Sequence, residues 1–373
     1  MTALASKATL SSFNFTNNSF GFIRFFLAML VMSGHTYGLG GFGEEPITLL
    51  TNSQESSGTI AVYGFFAISG FLVTRSLLTS PNVFVFWVKR ALRILPGFWV
   101  CLLVTAFVFA PIVYITEHNS LAGFLQYNPN GPLHYIRTNF FLLMHEYSIA
   151  NLLSKNPYPY AFDGSLWTLF LEAKAYVALG LLGIVGVAGK KRYIVLAIFV
   201  FLWSLILFNT QIQESPNKFI RLIVDPSFLL YATYFASGAV FYLFRDSISF
   251  NKSVFFVFVC FTLLSIKLGL LHQVLPVTEP FMLFWLAQTL PFKDFSKPGD
   301  FSYGIYIYAF PVQQLATYFH FNQEIITYFL VCFAVTMMFA ILSWFLIERP
   351  SIMLKRILKT KDKRFAFLFT KLP

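Results

Sequence analysis

Apolar residues in this chain gather into long runs, with neither the alternation of strands nor the one-sided stripe of a surface helix. A run of about 20 apolar residues crosses a hydrocarbon core of about 30 Å as a helix. Ten such runs stand out: 20–37, 59–79, 96–115, 165–188, 193–209, 227–244, 253–271, 278–292, 301–320 and 325–347. The eighth is short and bounded by proline. Residues 132–146 are apolar but too short and too polar to span, which predicts a re-entrant or interfacial helix on the far side. The expected fold is an all-α polytopic membrane protein of about ten transmembrane helices.

Composition agrees. The chain has 373 residues, 57% of them hydrophobic and 12% charged, where soluble domains carry about 25% charged residues. The 48 phenylalanines suit lipid-facing helices and an interior packed by large rings. The first 19 residues are polar and no cleavable signal is evident. Cys101, Cys260 and Cys332 lie within apolar runs, without disulfide framework or metal-ligand spacing, and read as small buried hydrophobes.

The net charge of +11 suggests nucleic acid until the basic residues are placed. With the N-terminus in the cytoplasm, twenty of the 27 Lys and Arg residues fall on the cytoplasmic side. Only Arg137, Lys155, Lys218 and Arg221 fall outside, and Arg24, Lys174 and Lys267 lie within spans. This positive-inside bias places both termini in the cytoplasm and favours an even number of spans. It turns the net charge into a topology signal with attraction to anionic lipid, and no nucleic-acid partner is expected. Residues 1–350 form one membrane domain, followed by a basic cytoplasmic tail over 351–373.

Two ionisable groups share the first run. Arg24 and His35 are eleven residues apart, so they fall on one helix face, roughly 16 Å apart along the axis. Charges on a spanning helix normally face the protein interior or a water-filled cavity. Arg24 snorkelling to the headgroups, with His35 a satisfied packing residue, is the competing reading.

The second run holds Ser69 and Gly70, small residues that allow close helix approach, and ends at Arg75. Arg90 and Arg93, three apart, share a face just before Pro96, where the third span is expected to begin. Arg24, Arg75, Arg90 and Arg93 thus put four guanidinium groups at one membrane face. Such groups suit topology and headgroup contact, or a phosphate clamp for a polyphosphate such as coenzyme A.

The fourth run opens with Asp163, Gly164, Ser165, Leu166 and Trp167, then reaches Glu172, Lys174 and Tyr176. Glu172 and Tyr176 share a face, and Lys174, two residues away from Glu172, is a poor partner for it. A carboxylate at this depth is protonated or paired. On helix rise, His35 lies about 22 Å and Glu172 about 17 Å above the inner boundary. If the two helices are neighbours, they can meet as a base held in one tautomer. Tyr303, Tyr306, Tyr308, Gln313 and Gln314 form a polar-aromatic stripe in the ninth run, which Pro311 should kink. The stripe suits the lining of a cavity for sugar or an interhelical hydrogen-bond seam. Glu348, Arg349 and Pro350 close the tenth run and read as a local ion pair with a proline stop. The outer loops are 38–58, Gly-rich with Glu44, Glu45 and Glu55, and 116–163, long and aromatic enough to shape an acceptor site.

Taken together these segments resemble the acyltransferase-3 family of membrane O-acyltransferases, from about residue 17 to residue 350. The R-x10-H pattern corresponds to Arg24 and His35, and FFxxSGFL to Phe65–Leu72. R-x-x-R-I-x-P matches Arg90, Arg93, Ile94 and Pro96, and LWxLxxExxxY matches Leu166, Trp167, Leu169, Glu172 and Tyr176. SYxxYxxxxP matches Ser302, Tyr303, Tyr306 and Pro311, and ERP is Glu348–Pro350. Many members carry a histidine two residues before that first proline, where this chain has Ala309. Some members fuse a periplasmic esterase-like domain at the C-terminus, whereas a stand-alone membrane domain is expected here. The resemblance implies transfer of an acyl group, usually acetyl, from cytoplasmic acyl-coenzyme A to a hydroxyl of a cell-surface or lipid-linked glycan. The acceptor would be O-antigen, exopolysaccharide or similar, the location the inner membrane, and no metal is called for. His35 and Glu172 are then the expected catalytic pair. Arg24, Arg75, Arg90 and Arg93 would hold acyl-coenzyme A, and Ser69, Trp167, Tyr176, Tyr303 and Tyr306 would line the substrate path. The alternative is a secondary transporter or glycan translocase using the same buried groups as a proton relay. Such proteins often show paired repeats, and none is visible here.

Overall fold

The computed structural model describes residues 9–186, 191–207 and 226–354. Each of the ten apolar runs holds a helix among its described residues. We label them α1 (Phe20–Gly40), α2 (Ser57–Leu78), α3 (Val83–His118), α4 (Trp167–Ile184) and α5 (Arg192–Leu207). The rest are α6 (Pro226–Leu243), α7 (Lys252–Leu268), α8 (Leu271–Thr289), α9 (Ser302–Tyr318) and α10 (Ile325–Leu354). Five of them, α1, α2, α3, α4 and α10, are long and apolar enough to cross a membrane. The chain is an all-helical, multi-pass membrane protein. Lys7, Lys190, Lys218, Arg221 and the tail from residue 355 lie outside the described residues.

Caps and prolines set the helix limits. Asn82 starts α3 by accepting from the Val85 N–H at 2.8 Å. The helix therefore begins thirteen residues before Pro96, which sits inside it rather than at its start. Ser56 caps α2 from its side chain, and both oxygens of buried Glu45 accept from the Ser57 N–H at 3.1 Å. That carboxylate also faces the positive end of the helix dipole. Pro350 does not end α10, which runs on to Leu354. Just before it, the Arg349 N–H reaches back to the Trp344 carbonyl in a π turn. Before Pro111, the Ala110 N–H reaches back to Thr105 in the same way. A proline ring clashes with the carbonyl four residues back, and the wider turn makes room for it. The 132–146 stretch is helical only over Pro132–Asn139. Asn139 then closes a turn by accepting from the His145 and Glu146 N–H groups.

The described residues form two compact units. The first comprises those within Met1–Tyr37, Phe42–Thr79 and Lys174–Ser302. Here α2 crosses α6 with backbones in contact. A methyl group on Gly70 would lie 1.9 Å from the Phe235 carbonyl oxygen, and one on Gly238 would lie 2.0 Å from that of Ala67. Ser237 donates at 2.5 Å to the Pro276 carbonyl of α8, which Pro280, lacking an N–H, leaves open. Phe71 anchors an aromatic core with Phe13, Phe20, Phe284 and Tyr242. The polar leader contributes to that core: Leu10 and Phe13 are buried, and the Leu10 N–H donates to the Ile248 carbonyl.

The second unit comprises the described residues within Gly38–Gly41, Ser80–Ala173 and Tyr303–Pro373. Gly97 accepts the Tyr303 ring, and Gly304 lies against the Ala340 backbone. Pro311 deprives the Ile307 carbonyl of its helix partner, and the buried Cys101 thiol donates to it at 3.3 Å. Cys332 is buried as well, but Cys260 is exposed on α7, contrary to the expectation that all three are interior. Its neighbours Phe256, Phe261 and Leu264 are exposed too, the composition of a lipid-facing surface.

Candidate active site

His35 lies near the C-terminal end of α1. Gly34 beside it packs against the first turn of α2, where a methyl group would come within 3.0 Å of the Ser57 hydroxyl oxygen. That hydroxyl donates to the Leu30 carbonyl at 3.1 Å, so the rotation of α1 about its axis is fixed next to the imidazole. Arg24, three turns earlier, forms a 3.1 Å ion pair with Asp300. Asp300 is held in turn by Ser302, whose hydroxyl donates to it at 2.7 Å. The serine of the SYxxYxxxxP pattern thus orients the counter-ion of the arginine in the R-x10-H pattern. The Arg75 guanidinium stacks 4.0 Å from the centroid of Phe15.

Ser69 and Tyr176 meet: their hydroxyls are 2.8 Å apart, tying α2 to α4. Gly70 next to Ser69 serves the α6 contact, so the SG pair divides its work between a hydrogen bond and a backbone crossing. Lys174 stands 4.8 Å over the Phe228 ring. His35 belongs to the first unit and Glu172 to the second.

In the second unit, Arg93 pairs with Glu348 at 3.3 Å, and Ser343 donates to the other carboxylate oxygen at 3.0 Å. The ion pair of the ERP motif is therefore made with α3 rather than with adjacent Arg349. Tyr303 donates to the Ile94 carbonyl at 2.7 Å, and its ring centroid lies 5.7 Å from the Arg93 guanidinium. Tyr306 is buried, donates to the Ser165 carbonyl at 3.1 Å and is hydrogen-bonded to Thr168. The tyrosine stripe thus forms the interhelical seam at these two positions. Trp167 is the first residue of α4, which starts later than the Asp163 expected to open the run, and Arg90 follows Lys89 on α3.

The sequence reading missed several polar partners. Asp163, fully buried, accepts from the hydroxyl of fully buried Tyr135. Burial pushes its carboxyl up to about 7, against the opposing pull of the Tyr135 and Thr105 hydroxyls. Burial beside Asp163 holds the Tyr135 phenol well above its ordinary range. In the first unit, buried Glu55 accepts from Tyr63 at 3.2 Å and pairs with His272 at 2.6 Å. A long-range partner leaves no local pattern; the available signal was each lone ionisable group in an apolar run, which demands a counterpart. Among the described residues, no group of three or more His, Cys, Asp or Glu is placed to hold a metal ion.

Comparison with known proteins supplies the family. A family model described as an acyltransferase domain, that of the acyltransferase-3 family, matches residues 17–348. An O-acetyl transferase of Shigella phage Sf6 is 29% identical over 360 residues, covering 89% of this chain and 95% of the relative. Nodulation protein 10 of Rhizobium leguminosarum bv. viciae is 28% identical over 225 residues, 58% of each chain. No solved structure matches. The match runs from before Arg24 to Glu348, the first residue of the closing ERP motif, and the chain belongs to the acyltransferase-3 family, as a membrane acyltransferase.

Proposed function

We propose that this enzyme takes an acyl group, in the simplest case acetyl, from acyl-coenzyme A at the cytoplasmic face of the inner membrane. It delivers that group to a hydroxyl of a cell-surface or lipid-linked glycan such as O-antigen or exopolysaccharide. The observation that carries this reading is the similarity, over nearly the whole of both chains, to a protein named as an O-acetyl transferase.

His35 acts as the general base. It takes the proton of the acceptor hydroxyl as that oxygen attacks the thioester carbonyl; the thiolate of coenzyme A leaves and recovers a proton. A brief acyl-imidazole is the covalent variant of the same chemistry. Glu172 orients and charges the imidazole, a role that rests on the matching helix depths and on the LWxLxxExxxY motif. Arg24, Arg75, Arg90 and Arg93 serve the phosphates of the donor, on the strength of the positive-inside pattern and the motif match. Asp300 and Glu348 hold Arg24 and Arg93 in place before any phosphate arrives. Ser69, Trp167, Tyr176, Tyr303 and Tyr306 shape the substrate path.

The test is His35→Gln in cells, with the surface glycan read by mass spectrometry and the protein by membrane abundance. Acylation should vanish at unchanged abundance, and retained acylation removes the imidazole from the reaction. Labelled acetyl-coenzyme A offered to inside-out vesicles tests the donor and its side: a translocase would consume none.

A further inference from the structure

The stretch between α3 and α4 is folded rather than slack. Ile149, Leu152, Leu153 and Phe162 are buried. Ala150, Asn151 and Leu153 hold left-handed backbone, with φ of 52°, 54° and 62°. Residues with a Cβ keep that conformation only where their surroundings impose it, and such positions concentrate at functional sites.

The short helix Pro132–Asn139 presents two faces. On one, Tyr135 is sunk into the second unit and bonded to Asp163. On the other, exposed His134 and Arg137 line a cleft of about 340 Å³ with Gln126, Tyr127, Asn128 and Pro129. The facing wall is braced: Asn151 donates to the Tyr127 hydroxyl at 3.2 Å, and the Ala150 N–H donates to the Asn130 carbonyl at 2.6 Å. No acidic residue lines the cleft, and Arg137 makes no ion pair among the described residues.

The charge is unusual for its position. On the topology expected from the sequence, twenty of the 27 Lys and Arg residues belong to the opposite membrane face, yet Arg137 stands here beside a histidine. A guanidinium fork binds a carboxylate or phosphate in two places at once. A phenol ring and amides alongside it are the equipment for a sugar ring and its hydroxyls, and the volume lies at the small end of ligand sites, roughly 300–1,000 Å³. A lipid headgroup would use the guanidinium and leave the amides idle.

The geometry points to this cleft as a docking subsite for an anionic sugar residue of the acceptor, one carrying a carboxylate or a phosphate. Arg137 grips the charge, and Tyr127 with Gln126 and Asn128 reads the ring. The inference rests on the reading of the acceptor as a glycan. It also narrows the acceptor to an acidic one.

The test uses the purified full chain in nanodiscs of uncharged lipid, without donor, titrated calorimetrically with an oligogalacturonate and with a neutral maltooligosaccharide. The acidic ligand should bind roughly fivefold or more tightly than the neutral one. Arg137→Gln should bring that ratio to about one, and Arg137→Lys should leave it in between, both variants eluting as wild type does. Equal binding of the two saccharides overturns the inference, as does a preference that survives Arg137→Gln. Arg137-dependent capture by anionic phosphatidylglycerol vesicles, without saccharide selectivity, overturns it in favour of a membrane contact. Because binding is read without acyl transfer, failure here leaves the transfer reading standing, and loss of transfer activity does not affect this result.

Discussion

Arg93 and Glu348 are 255 positions apart in the chain and meet at 3.3 Å in the structure, with the carboxylate buried. Removing one member of a buried pair strands the other charge, at a cost of about 3 kcal/mol or more. Arg93→Ala should therefore lower the melting temperature markedly in detergent. Replacing both residues by apolar ones of similar size, Arg93→Met with Glu348→Leu, should recover most of that loss. If Arg93 also serves donor phosphate, the stable double variant will bind acyl-coenzyme A poorly. Thermal shift and donor binding on the same preparations separate the two roles.

Ser69 and Tyr176 share one hydrogen bond, so their deletions should not add. Ser69→Ala and Tyr176→Phe should each cost about 1 kcal/mol, and the double variant little more than either alone. Additive losses in a thermal-shift cycle would mean that each hydroxyl serves something other than its partner.

Asp163 predicts a pH dependence of stability. Its folded-state value, pushed up from 3.8 to about 7 by burial, means that the folded chain holds this proton more tightly than the unfolded chain does. The stabilising contribution is complete below pH 3.8 and is lost as pH rises through about 7. Asp163→Asn still offers Tyr135 an acceptor but cannot ionise. Melting temperatures taken from pH 5 to pH 8 should fall for the parent protein and stay nearly flat for the variant.

The Cys101 thiol is a weak donor placed where a carbonyl has lost its partner to Pro311. Cys101→Ser should keep the bond and most of the stability. Cys101→Val fills the space but leaves the Ile307 carbonyl unsatisfied, and should cost about 1–3 kcal/mol more than the serine variant. Chemical denaturation in detergent ranks the two.

The helices were legible because hydropathy is a local property: each run of apolar residues declares its own helix. Pro96 misled about where α3 begins, since proline suits the first turn of a helix, yet Asn82 caps the chain further back. Pro350 misled about where α10 ends, since a π turn accommodates it. The polar leader concealed Leu10 and Phe13, two apolar residues too sparse to form a pattern but enough to plug a core. At the site, spacing put Arg24 with His35 on one helix and Arg90 with Arg93 on another. It did not give Asp300 or Glu348, whose pairings depend on how distant helices pack. Nor did the tyrosine stripe declare its partners: Tyr306 is hydrogen-bonded to Ser165 and Thr168, residues 138 or more positions away in the chain.

Where α2 and α6 cross at Gly70 and Gly238, each peptide carbonyl occupies the space that the opposite side chain would need. No lipid tail can wedge into such a joint, and neither helix can turn or slide without driving an oxygen into the other's main chain. The pair behaves as a single girder. Any rearrangement within the first unit therefore has to carry α2 and α6 together.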